Sequence, residues 1–162
     1  MYRVSFTGYR PEKLPFRDED DPRCIDLKKR LSEQIEKLIK DGADEFFSGM
    51  ARGVDMWAAE AVLALKANYP NIRLTAVIPC PEQAEKWNAA DQALYQDILA
   101  KCDKKLTTSP RYTSGCMQAR NRALVDMCDI LIAVFDGQSG GTANTVNYAK
   151  SKGRSTIVIE PE

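Results

Sequence analysis

Apolar residues along this chain follow two rhythms that take turns. Short, nearly continuous β-prone runs cover residues 2–7, 43–48, 72–78, 104–108, 129–135 and 156–160. Between them the apolar positions recur three and four apart, as in Leu27, Leu31, Ile35, Leu38 and Ile39, or Val54, Trp57, Ala58, Ala61, Val62 and Leu65. The first spacing fits strands covered on both faces, and the second fits helices that bury one stripe. Further helices are expected over residues 91–102, 116–127 and 143–152, and Gly42 is placed to end the first helix. Residues 8–22 carry three prolines and an acidic run and are read as an irregular connection. Strand and helix alternating throughout predicts an α/β fold, a single Rossmann-like, doubly wound, mainly parallel sheet with helices on both faces, spanning residues 1–162 as one domain.

In such a sheet the loops that follow the strands share one edge, and ligands bind where the strand order reverses. Three glycine-bearing loops follow predicted strands here: Thr7-Gly8-Tyr9-Arg10-Pro11, Ser48-Gly49-Met50-Ala51-Arg52-Gly53, and Gly137-Gln138-Ser139-Gly140-Gly141-Thr142. Glycines let a ligand approach the backbone, and free amides at a helix start attract anions. With Arg10, Arg52 and either Arg120 or Arg122 nearby, the three loops together read as a site for a phosphate-bearing ligand. Neither a Gly-Lys-Ser/Thr closure nor G-x-G-x-x-G is present, which argues against the usual ATPase and dehydrogenase loops.

Composition narrows the chemistry. The chain has 162 residues, 23 basic and 23 acidic, so net charge favours a small-molecule partner and argues against nucleic acid or a membrane. Histidine is absent, which removes Ser-His and Cys-His nucleophile pairs and most zinc sites, and no metal is expected. Five scattered cysteines without a C-x-x-C pair suit a reducing cytoplasm. No apolar run approaches the roughly 18 residues of a membrane span. Nothing in the pattern compels self-association, and a homo-oligomer stays open.

Several residues support two readings. Asp55, in the first turn of its helix, either complements the helix dipole or contacts a ribose hydroxyl. Asp136 either starts a turn or contacts sugar or water. Arg120, Asn121 and Arg122 are consecutive on a helix, so at most two can face the crevice. Trp57 falls on a buried stripe and is read as core.

These motifs resemble the SLOG superfamily, which includes the DNA-processing protein DprA and the LOG cytokinin-activating enzymes. Ser48-Gly49-Met50-Ala51-Arg52-Gly53-Val54-Asp55, Arg120-Asn121-Arg122 and Ser139-Gly140-Gly141-Thr142 carry the resemblance. Gly8-Tyr9-Arg10-Pro11, with Pro81, Gln83 and Trp87, is similar to the smaller YpsA-like family. The resemblance implies a nucleotide or nucleotide derivative, of ADP-ribose, NAD or nucleoside phosphate type, held by Gly8, Arg10, Ser48, Gly49, Arg52, Gly53, Asp55, Arg120, Gly140, Gly141 and Thr142. It leaves the catalytic residues unassigned. LOG-type hydrolysis uses a Glu two residues after the Gly-Gly-x-Gly-Thr threonine, where this chain carries Asn144, an amide that cannot serve as a base. The expected role is therefore a sensor or adaptor, with an N-glycoside or nucleotide hydrolase as the alternative and single-stranded DNA binding third.

Overall fold

The computed structural model describes residues 2–162. Its elements run β1 Tyr2–Gly8, α1 Pro22–Lys40, β2 Ala43–Ser48, α2 Val54–Leu65, β3 Arg73–Ile78, α3 Ala89–Lys101, β4 Lys104–Thr107, α4 Cys116–Met127, β5 Ile130–Val134, α5 Gly141–Ser151 and β6 Ser155–Ile159, with a 3-10 turn at Pro11–Lys13. The strands form one sheet in the order β4-β3-β2-β1-β5-β6. Every pairing is parallel, where the pattern had predicted a mainly parallel sheet.

Alternation along the strands sends side chains to two layers. Val4 and Phe6 of β1, Phe46 of β2 and Ile132 of β5 join α1, α2 and α3 in the main core. Leu131 and Ala133 turn the other way to meet Val125 of α4 and Val146 and Ala149 of α5. The Phe6 and Phe46 rings stack with centroids 6.1 Å apart, and burying each stabilises the fold by about 1.5–3 kcal/mol. Trp57 is 6% exposed within this core, as its stripe predicted.

The starts of α1, α3 and α5 lie earlier than the apolar spacing indicates, α5 opening at Gly141. α1 begins at Pro22, inside the supposed irregular run, because a proline at the first turn needs no amide partner and Asp21 caps the helix by accepting from the Arg23 N–H at 2.9 Å. α3 begins at Ala89, where the Asn88 side chain accepts from the Asp91 N–H at 2.8 Å. Both signals are polar and local, so a hydrophobic period does not register them.

Candidate functional site

β1 lies between β2 and β5, and the chain winds outward from it in both directions. The strand order reverses between β1 and β5, and a cavity of about 500 Å³ opens there. Its wall is supplied by Thr7 and Gly8 at the end of β1 and Arg10 just beyond it, Ala51, Arg52 and Asp55 around the start of α2, Met117, Arg120 and Asn121 on α4, and Gly141, Thr142 and Asn144 on α5.

The loop from β2 to α2 is braced from below. Ser48 is fully buried, and its hydroxyl donates to the Asp55 carbonyl at 2.8 Å while accepting from the Met50 N–H at 3.2 Å. That support holds Met50 at φ 62°, a left-handed conformation that costs a residue with a Cβ about 1 kcal/mol or more. Gly53 then opens α2 at φ 86°, so close to the first loop that a Cβ would lie 2.7 Å from the Tyr9 carbonyl. The loop therefore delivers Asp55 to the cavity with its backbone direction fixed.

Asp55 is 6% exposed, and one carboxylate oxygen accepts from the Ala51 N–H at 3.3 Å. The other oxygen has no protein donor among the described residues. Burial pushes this carboxyl above the usual aspartate range, and the positive charge of Arg120 offsets only part of the effect. Arg120 is 2% exposed, and burial likewise lowers its pKa while Asp55 opposes the shift. Its guanidinium donates to the Gly49 carbonyl, to Gln83 Oε1 at 3.3 Å and to Asn121 Oδ1 at 3.0 Å. Nη2 meets only the Met117 sulfur, at 3.9 Å. Gln83 also donates to the Gly49 carbonyl at 3.2 Å, so loop, arginine and glutamine form one polar knot beneath the cavity.

α5 starts without a capping side chain, behind Gly140 at φ 137°. Its first amides have no partner within the helix, and they carry the positive end of the helix dipole. Thr142 is 8% exposed, and its hydroxyl makes no hydrogen bond among the described residues. Gly141 has open space beside it: the nearest atom to an added Cβ would be Asn121 Nδ2, at 4.0 Å.

The rim is cationic. Arg10 is exposed and has no side-chain hydrogen bond or ion pair among the described residues. Arg52 pairs with Glu12, whose carboxyl it holds below the usual glutamate range. Lys13 donates to the Ser139 carbonyl at 2.7 Å. Behind the rim, Tyr9 donates its hydroxyl to Asp136 at 2.6 Å, and this bond is the largest cause of the lowered Asp136 pKa.

Of the residues expected in the site, Gly8, Arg10, Arg52, Asp55, Arg120, Gly141 and Thr142 line the cavity. Ser48, Gly49, Gly53 and Gly140 do not. Ser48 and Gly49 are buried beneath the wall, one tying the loop to α2 and the other seating Arg120. Gly53 and Gly140 stand just outside as helix caps. Asp136 is also off the cavity wall, and Arg122 turns outward, its guanidinium 5.6 Å from the Tyr148 ring centre. Of the RNR triplet, Arg120 and Asn121 face inward, within the limit set by helical geometry. Sequence reasoning missed Glu12 and Lys13, which sit on the 3-10 turn. A proline-rich segment without periodicity gives no sign that it folds over a site.

A doubly wound, all-parallel sheet with a polar cavity at its switch point is a Rossmann-like architecture. The chain belongs to the YspA SLOG family, whose family model matches residues 4–158. It is 30% identical over 144 residues to a UPF0398 protein of Bacillus pumilus, covering 88% of this chain and 77% of that one. A UPF0398 protein of Bacillus cereus is 30% identical over 156 residues, covering 94% and 85%. Among solved structures, DNA processing protein A of Helicobacter pylori, described with a single-stranded DNA binding mode, superposes with TM-score 0.67 at 22% identity, covering 97% of this chain. The chain spans 64% of that protein's length. DprA of Streptococcus pneumoniae superposes with TM-score 0.63 at 18% identity, covering 97% of this chain and 50% of that one. At these identities the structural likeness concerns the fold. Among the described residues no helix is long and apolar enough to cross a membrane.

Proposed function

We propose that the cavity binds a nucleotide or nucleotide derivative and that the protein acts as a ligand sensor or adaptor. One observation carries this reading: three side chains more than nine-tenths buried, Thr142, Asp55 and Arg120, each present to the same cavity a polar atom, the Thr142 hydroxyl, one Asp55 oxygen and Arg120 Nη2, that has no protein oxygen or nitrogen partner among the described residues. Convergent polar groups that open onto one concave site and are left free by the protein are what a bound ligand completes. The α5 amides and Thr142 suit a phosphate, Asp55 suits a sugar hydroxyl, and Arg10 supplies a free cation at the rim. Membership of the SLOG family supports the same assignment.

Single-stranded DNA, named for the H. pylori protein, would call for an open basic groove with stacking rings. Here the cavity volume is about 500 Å³ and Tyr9 is the one aromatic residue on its wall, features that favour a small molecule. A second reading rests on Asp55 itself. A buried carboxyl with a raised pKa in a cavity is the usual setting of a general acid, so hydrolysis of a nucleotide or its N-glycosidic bond by Asp55 is the alternative.

The test is thermal stabilisation across nucleoside mono- and diphosphates, ADP-ribose and dinucleotides, with product analysis alongside. Stabilisation that is lost in Arg10→Ala supports binding. Release of free base or sugar phosphate, abolished in Asp55→Asn, favours the hydrolase. A short oligonucleotide that stabilises while every nucleotide fails overturns both.

A further inference from the structure

The rim contains an ion pair that the binding reading does not use. Glu12 and Arg52 both line the cavity, yet each is satisfied by the other: the carboxylate on the 3-10 turn spans the mouth to a guanidinium on the β2–α2 loop. One residue on, Lys13 reaches the opposite loop through the Ser139 carbonyl. The Pro11–Lys13 turn thus bridges both sides of the crevice through contacts made by cavity-lining side chains. Overall the wall carries four cationic side chains, Arg10, Lys13, Arg52 and Arg120, against two carboxylates, Glu12 and Asp55. A single phosphate at the start of α5 would leave most of the rim cations unused.

We propose that Glu12 is a displaceable placeholder on Arg52, and that the natural ligand carries a second phosphate, directly bonded to the first, which takes Glu12's position. The proposal rests on the nucleotide reading of the cavity and deepens it by assigning the ligand class to diphosphates. Its physical basis is the match of partners. A phosphate group offers a guanidinium the same kind of charge-assisted hydrogen bond that Arg52 Nη2 makes to Glu12 Oε1, so Arg52 can trade one for the other without changing its own geometry. Glu12 has 59% of its side chain exposed and returns to water on release. Because exposed ion pairs are weak, the exchange costs the ligand only about threefold to fivefold in affinity. Lys13 can make the same trade, since its partner is a neutral carbonyl. Displacement also unpins the 3-10 turn from the β2–α2 loop, which gives ligand arrival a structural consequence at the surface.

Calorimetric titration of the full chain with orthophosphate, pyrophosphate, AMP and ADP tests this, in wild type, Glu12→Gln and Arg52→Gln. The expected results are that ADP and pyrophosphate bind wild type at least tenfold more tightly than AMP and orthophosphate, and that Glu12→Gln tightens the diphosphates about threefold to fivefold while moving the monophosphates less than twofold. Arg52→Gln should bring ADP to the level of AMP. Equal tightening of both classes in Glu12→Gln would overturn the proposal, since that is what long-range charge alone produces. Equal affinity of AMP and ADP in wild type, unaffected by Arg52→Gln, would overturn it while leaving the nucleotide reading intact. Binding of neither class, with no nucleotide stabilising the fold, would overturn the nucleotide reading itself.

Discussion

The Arg120 guanidinium occupies the space that a side chain on Gly49 would need: a Cβ built on Gly49 lies 2.8 Å from its central carbon. Seventy-one positions apart in the chain, the two are joined by the bond from the guanidinium to the Gly49 carbonyl. Gly49→Ala should therefore push Arg120 off its hydrogen-bonding partners and destabilise the fold by about 1–3 kcal/mol, as overpacking of a tight interior does. In an Arg120→Ala background the same change should cost much less, so a double-mutant cycle read by urea denaturation will show coupling. Additive effects would mean that the glycine is required for some other reason.

Asp55 gives a pH signature. Its folded pKa is raised, so its contribution to stability is fully present below the unfolded aspartate value of about 3.9 and is lost as pH rises through the folded pKa. Asp55→Asn keeps an acceptor for the Ala51 N–H and removes the buried charge. Melting temperatures should be higher than wild type at pH 7, with the difference closing below about pH 4. The same variant should lose ligand binding, a stability gain at the expense of function.

Asp136 has the opposite sign. The Tyr9 hydroxyl lowers its pKa, so the pair stabilises the fold above the unfolded aspartate pKa and the contribution fades as pH falls through the folded value. Tyr9→Phe should cost about 0.5–1 kcal/mol at pH 7, a modest figure because Asp136 is exposed, and less in acid. Chemical denaturation at pH 7 and pH 3 compares the two.

How much of this could be read from the residues depends on what set each feature. The βα units were legible because burial on both faces leaves runs such as Ile130–Val134 with no polar position, and because helices like α4 keep one apolar stripe. The meeting of three loops at one edge followed from strand topology alone. The division of labour among the glycines was not legible, since Gly49 serves Arg120 and Gly141 faces open space although both sit in Ser/Gly-rich loops. Gln83 was noticed only through family resemblance, and its bonds to the Gly49 carbonyl and Arg120 depend on contacts that no local pattern records. Glu12 and Lys13 were missed for the same reason.

Gly141 offers the most direct test of the cavity as a phosphate site. The space beside it accepts a side chain, and a carboxylate in the first turn of α5 favours the helix dipole by about 0.3–1 kcal/mol, so Gly141→Asp should melt no lower than wild type. It would also place a fixed negative charge where the ligand's phosphate is expected. The decisive measurement is calorimetric titration of wild type and Gly141→Asp with the nucleotide that most stabilises the wild-type fold. Saturable one-site binding to wild type is expected, with a loss of at least tenfold in the variant and its fold intact. Equal affinity in the two proteins would contradict a phosphate site there.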